Sequence, residues 1–578
     1  MGFQNLKVCA ASVISFTWLC LITCASTEPL QMVHNLDTLI TNVEQLYRTA
    51  YHFQPQKNWM NDPNGPMFYK GYYHLFYQYN PEGPFWGNIV WGHSVSEDLV
   101  KWRSLDVALV PSEWYDIGGC WSGSTTFLEG GKPVILYTGI TNASEQVQNM
   151  VVPKNLSDPF LREWVKIPEN PIIVPNRGMD AKNFRDPTTG WFDSVDMKWR
   201  IVVGALEGRS RGMALLYKST DFIKWEKVKH PLHSSESSGV WECPDFYPVL
   251  VSGKQGLDTS FVGSSVKHVM KVSLLETGYD YYTVGSYLVD ENIFVPDKGS
   301  QDDELELRYD YGKFYASKSF YDASKNRRVL WGWITESDSQ SEDIMKGWAG
   351  LQGIPRTIWL DDSTGMNLMQ WPVAEVESLR GKKTVKNNTI LKSGEVVEIY
   401  GVTGAQMDVE VSFDLRKMEI EEVEEMDANA TAQELCSNTG VSYKGVVGPF
   451  GLLVLASNDL TQYTAVFYHI ISHQNKLKLL MCSDQRRSSS LKDLDKTTYG
   501  SFVPLNDPKK IVSLRVLVDH SIVESFAEGG KSCITSRVYP TLTDLHLYLF
   551  NNGSSTILCN QLNAWDMKTT DNVYNFEI

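Results

Sequence analysis

Short runs of apolar or alternating residues recur along the first part of the chain: Tyr73–Tyr77 (YHLFY), Pro133–Tyr137 (PVILY), Trp199–Val203 (WRIVV) and Met213–Tyr217 (MALLY). Each is short and bounded by Gly, Asp, Asn or Pro, so the pattern predicts strands joined by tight turns. A motif repeats over the same stretch. Ser96–Trp102 (SEDLVKW) and Ser219–Trp225 (STDFIKW) are near copies, with a looser one at Ser157–Trp164 (SDPFLREW) between them. The three tryptophans are spaced by 62 and 61 residues. One copy per ~60 residues, each with about four short strands, predicts a radial propeller of five units from residue 50 to about 350. Strands stacked as a sandwich are the competing arrangement.

The pattern changes at Leu368–Pro372 (LMQWP), which is followed by a helix-like stretch, Val373–Arg380 (VAEVESLR). Alternation then resumes at Val396–Tyr400, Val409–Phe413, Ile511–Val518 and His546–Phe550, predicting an antiparallel sandwich as a second domain. The expected organisation is all-β: a five-bladed propeller over 50–360, a linker over 361–385 and a β-sandwich over 386–578. The acidic run Glu419–Asp427 reads as a solvated loop or helix face.

The first residues read as an address. A lysine at position 7 precedes the mostly apolar Val8–Cys24, and Ala25 and Ser26 suit cleavage, which predicts a secretory signal over 1–26 and an extension over 27–49. No later apolar run reaches the ~20 residues of a membrane span. Five N-x-S/T acceptors, Asn142, Asn155, Asn387, Asn429 and Asn552, agree with export. Outside the signal, Cys120, Cys243, Cys436, Cys482, Cys533 and Cys559 are too sparse for a disulfide scaffold. No CxxC, HExxH or histidine cluster supports a metal site, and no cofactor is expected. A net charge of -16 argues against a nucleic-acid partner. Aromatics at 12% suit both β-packing and stacking on sugar rings.

Three acids sit beside an aromatic and close to a proline: Asp62 in WMNDPNG, Asp186 in NFRDP and Glu242 in WECPDF. Taken singly, these are a turn-former, half of an ion pair with Arg185, and a loop acid. If blades converge on an axis, loops from separate blades can bring all three to one site.

These segments resemble the signature motifs of plant acid invertases and fructan exohydrolases of glycoside hydrolase family 32. The likeness extends through Tyr77–Asn80, Ile89–Ser94, Cys120–Ser124, Arg308–Gly312, Lys346–Gly350 and Val518–Phe526. The resemblance implies a propeller with an appended sandwich, and a retaining mechanism on a β-fructofuranosyl unit of fructan or sucrose. By it Asp62 is the nucleophile, Glu242 the acid/base, and Asp186 the acceptor that steadies the oxocarbenium-like transition state beside Arg185. Trp59, Asn61, Gln78, Trp86, Trp121 and Ser122 match positions lining the sugar pocket, and Cys436 and Cys482 match a disulfide in relatives. The other four cysteines are expected as buried free thiols.

Relatives that cleave sucrose well carry an Asp and a Lys three residues apart after the acid/base motif. Here those positions hold Leu275 and Gly278. The departure resembles the fructan exohydrolases, with Glu276 as a partial substitute. An acid invertase is the alternative, and a silent carbohydrate-binding propeller the alternative of another class. The expected location is extracellular, with the vacuole as the alternative.

Overall fold

The computed structural model describes residues 46–300, 307–416, 423–473, 476–503, 510–570 and 572–574. The expected signal, nearly all of the extension and part of the acidic run lie outside these residues. Five mainly antiparallel sheets surround an axis, and two more form a sandwich against them. The propeller's first strands are Asn58–Tyr69, Cys120–Leu128, the two-residue Phe184–Arg185, Trp241–Leu250 and Tyr315–Asp322, each backed by further strands of its own blade.

The repeated motif is the turn into the outermost strand of the first three blades. Asp98 accepts from the backbone N–H of Val100 and Lys101 (3.0 and 2.8 Å), and Asp221 from Ile223 and Lys224 (2.9 and 2.8 Å). Asp158 does the same for Phe160 (3.0 Å) in the looser copy. One apolar residue in each copy is left-handed and buried: Leu99 and Phe222 directly after the cap, Leu161 three residues after it. An aspartate that satisfies the turn's N–H groups permits that conformation, and so the spacing of the copies is the spacing of blades.

The fifth blade extends past the expected boundary. Within 361–385, Leu368–Pro372 pairs with Arg356–Leu360 as that blade's outermost strand, a short 3-10 helix follows over Ala374–Leu379, and the sandwich strand begins at Arg380. Leu368, Gln370 and Pro372 turn inward while Met369 and Trp371 stay half-exposed, a strand's period of two.

In the sandwich, Met407, Val409, Val411 and Phe413 face Phe450, Leu452 and Val454 across a dry core. On the strand Ile511–Asp519, Val512, Leu514, Val516 and Val518 point into this core, while Leu517 points the other way into a cluster with Tyr51, Phe53 and Phe526. That second cluster joins sandwich to propeller. Within the junction His52 is hydrogen-bonded to Asp519 (2.9 Å) and Glu524 (3.1 Å), and Arg356 pairs with Glu524 (2.8 Å) and Asp310 (2.9 Å), all fully buried. The backbone of Val573–Tyr574 pairs in parallel with Arg103–Ser104, closing the outer edge of the first blade.

Candidate active site

The first strands pack against one another around the axis, and they are irregular at the same end. Register with the neighbouring strand slips between Met60 and Pro63, Trp121 and Gly123, Glu242 and Asp245, and Tyr315 and Lys318. Such bulges re-aim side chains, here Asp62, Ser122, Glu242 and Tyr315. Asp186 (φ 67), Cys243 (φ 43) and Ala316 (φ 52) are left-handed, strained conformations that need surrounding structure to hold them.

A cavity of ≈ 280 Å³ opens at this end, lined by every expected site residue except Trp59. Trp59, half-exposed, packs edge-on to Trp333 (5.7 Å) and donates its indole N–H to Asn61 Oδ1 (2.8 Å). Asn61 in turn donates to Asp62 Oδ1 (2.9 Å), while Ser122 Oγ donates to Asp62 Oδ2 (2.6 Å). Trp86, 57% exposed, stands edge-on to Trp121 at 5.8 Å.

Cys243 joins the three acids. It follows Glu242 in sequence, its N–H donates to Asp186 Oδ2 (2.7 Å), and its thiol lies 3.4 Å from Asp62 Oδ2. Burial pushes that thiol well up, and the two aspartates add to the effect, so it remains a neutral donor. Arg185 Nη1 donates to Glu242 Oε1 (2.9 Å) and Tyr315 OH to Glu242 Oε2 (2.6 Å). Burial pushes the Glu242 carboxyl up to about 7; Arg185 and Tyr315 oppose the rise, Asp186 and Asp62 reinforce it. Glu242 therefore holds its proton in weakly acidic solution, as a general acid must. Burial also raises Asp186, with Arg185, Lys318 and the Cys243 N–H pulling the other way.

Tyr315 and Trp333 complete the wall without having been picked out in the sequence. They lie in strands, Tyr315–Asp322 and Arg327–Ile334, whose apolar pattern reads as ordinary blade core. Leu275, 50% exposed, lines the cavity in the loop between Val266–Leu274 and Tyr279–Leu288. Glu276 does not line the cavity; its carboxylate accepts from the Val240 N–H (3.1 Å to each oxygen). Gly278 is the left-handed residue of the same loop (φ 68).

Away from the cavity, Cys436 and Cys482 form a disulfide, while Cys120, Cys243, Cys533 and Cys559 are buried thiols. Asn142, Asn155, Asn387 and Asn429 are exposed. Asn552 is half-buried, and its side-chain nitrogen, the atom a glycan would use, donates to the Val441 carbonyl (2.7 Å).

Residues 52–372 match the family model "Glycosyl hydrolases family 32 N-terminal domain", and residues 375–566 match "Glycosyl hydrolases family 32 C terminal". The chain belongs to glycoside hydrolase family 32. Family relatives include a fructan 6-exohydrolase of Beta vulgaris, 54% identical over 93% of this chain and 91% of the relative. An insoluble β-fructofuranosidase of Daucus carota is 55% identical over 91% and 90%. The crystal structure of fructan 1-exohydrolase IIa from Cichorium intybus superposes with a TM-score of 0.88 at 50% identity, covering 92% of this chain and 99% of that one. This member of the family is accordingly a glycoside hydrolase, and its propeller and sandwich are those of its relatives.

Proposed function

We propose that the protein is a retaining exo-hydrolase that releases terminal β-D-fructofuranosyl units from fructans and cleaves sucrose poorly. Asp62 attacks the anomeric carbon, Glu242 protonates the leaving oxygen and then activates water, and Asp186 accepts hydrogen bonds from the ring hydroxyls. The observation that carries this reading is Glu242: largely buried, raised to about 7, and tied through Cys243 to two further carboxylates in one cavity. The support for fructan over sucrose is Leu275 at the rim with Glu276 engaged elsewhere, which among the described residues leaves this edge of the cavity without a charged partner for a glucosyl unit. An acid invertase is the alternative, favoured by the β-fructofuranosidase relatives. Relatives named as insoluble or cell-wall isoenzymes support work outside the cell, as does the expected signal.

The test is release of fructose from levan, inulin and sucrose in parallel, with Glu242→Gln as control. The variant is expected to lose at least a hundredfold in turnover, roughly the lower bound for a general acid. Sucrose as the best substrate would overturn the exohydrolase reading, and full activity of Glu242→Gln would overturn the acid/base assignment.

A further inference from the structure

Beneath the floor of the cavity, two lysines from neighbouring strands reach the bulge that follows Glu242. Lys271 Nζ donates to the carbonyl of Cys243 (3.0 Å), to the carbonyl of Ser317 (2.8 Å) and to Ser273 Oγ (2.9 Å). Lys318 Nζ donates to the carbonyl of Pro244 (3.1 Å). The carbonyls of Cys243 and Pro244, freed from the ladder by the register slip, are thus each held by an ammonium, and the Cys243 N–H is held by Asp186. With its groups satisfied this way, a left-handed, non-glycine residue can persist beside an acid.

The two lysines differ in their charge environment. Lys271 is fully buried 3.2 Å from Asp280, which also accepts from Ser273 Oγ (2.6 Å) and from the N–H of Ala316 and Ser317. Its charge is matched locally. Lys318, only 2% exposed, has no carboxylate within ion-pair distance among the described residues. A buried ammonium without an adjacent counter-charge is costly, so the field that tolerates it comes from groups further off. Those facing the cluster are Asp186 with Arg185, then Asp62, Glu242 and the Cys243 thiol, with Asp245 bound to Ser319 next to Lys318.

We propose that Lys318 is a positioning residue of the hydrolytic site, which fixes the turn carrying Glu242 and supplies the buried positive charge that the Asp186 carboxylate faces. Lys318 acts on Asp186 in the sense that favours its ionised form, alongside Arg185 and against burial. Removing that charge moves Asp186 upward, so the acid limb of the pH profile moves upward with it. Lys318 is not a major influence on Glu242, so the alkaline limb stays in place. This inference rests on the role assigned to Asp186 above.

The experiment is kcat/KM for fructose release across pH 4–9 for the full chain and five variants. Lys318→Met and Lys318→Gln are expected to shift the acid limb up by about one unit, the lower end for an opposite charge close to a carboxylate. Lys318→Arg restores the wild-type limb. Lys271→Met, which disturbs the same bulge but removes a locally matched charge, lowers the rate without moving the limb. Should the Met variant of Lys318 not fold, Lys318→Gln, which keeps a donor for the Pro244 carbonyl, carries the same comparison. A uniform loss across pH in both neutral Lys318 variants overturns the proposal and leaves a purely structural lysine. Asp186→Asn separates the two readings: full activity there sinks the role of Asp186 itself, whatever Lys318 does.

Discussion

The hydroxyl of Tyr315 offers a direct handle on Glu242, the proposed acid/base. It lies 2.6 Å from Glu242 Oε2 in a position where only donation favours the carboxylate. Burial raises the Glu242 carboxyl, and this bond is one of two influences holding the rise to about 7. Tyr315→Phe removes the bond and little else, because the ring stays packed against Trp333. A hydrogen bond to a charged group contributes about 1.5–3 kcal/mol. At about 1.4 kcal/mol per unit, its loss moves the Glu242 carboxyl up by about one to two units. The bond favours the ionised form, so without it the proton is held to higher pH. The alkaline limb of kcat/KM on fructan, expected near 7 in the wild type, therefore moves to about 8–9 in the variant. The assay is initial-rate fructose release at ten or more pH values, with the fold verified at each by circular dichroism. An alkaline limb that stays put or moves down would falsify either the donation from Tyr315 or the assignment of Glu242 as the titrating acid.

Two further outcomes follow from groups away from the chemistry. Burial alone would lower His52, but its bonds to Asp519 and Glu524 prevail and push it up from 6.5 to about 9, on the order of 3 kcal/mol. That stabilisation is complete below the unfolded value of 6.5 and is lost as pH rises through about 9. Denaturant melts should show His52→Gln costing much at pH 5.5 and little at pH 9.5, and an equal cost at both would dismiss the charged pair. Gly350 is left-handed (φ 81), and a Cβ there would meet the carbonyl oxygen of Met60 at 2.0 Å, next to Asn61 and Asp62. Gly350→Ala is expected to lose roughly 2–5 kcal/mol from strain and overpacking together, and to lower turnover. An unchanged melting temperature would mean that this approach of backbones is looser than it looks.

What the sequence disclosed, and what it hid, follows from the range of the interaction involved. The aspartate-capped turns were visible because cap, left-handed residue and tryptophan lie within seven positions of one another. The three acids stood out through the turn-forming and aromatic residues around them, although their meeting point depends on blades far apart in sequence. Tyr315 and Lys318 were hidden in FYASKSF, where an alternating strand gives no sign that one side chain faces a carboxylate and another a strained bulge. The outermost strand Leu368–Pro372 falls within the expected linker because a five-residue alternation that ends in proline and runs into a helix-like stretch is too short to announce a strand. Leu517 breaks the polar-out rule in its strand because the other face of its sheet meets a second domain, a fact no local window contains.

The pairing of Val573–Tyr574 with Arg103–Ser104 bears on how the molecule is made. Trp102, at the entry to that strand, donates its N–H to Asn572, 470 residues away. At ~5–20 residues per second, a ribosome takes roughly half a minute to a minute and a half to supply that partner. Through that interval the first blade waits with a bare flank, a ready docking rail for a stray strand from another nascent chain. Deleting Asn572–Tyr574 therefore acts on the propeller's opening blade, although these residues follow the sandwich.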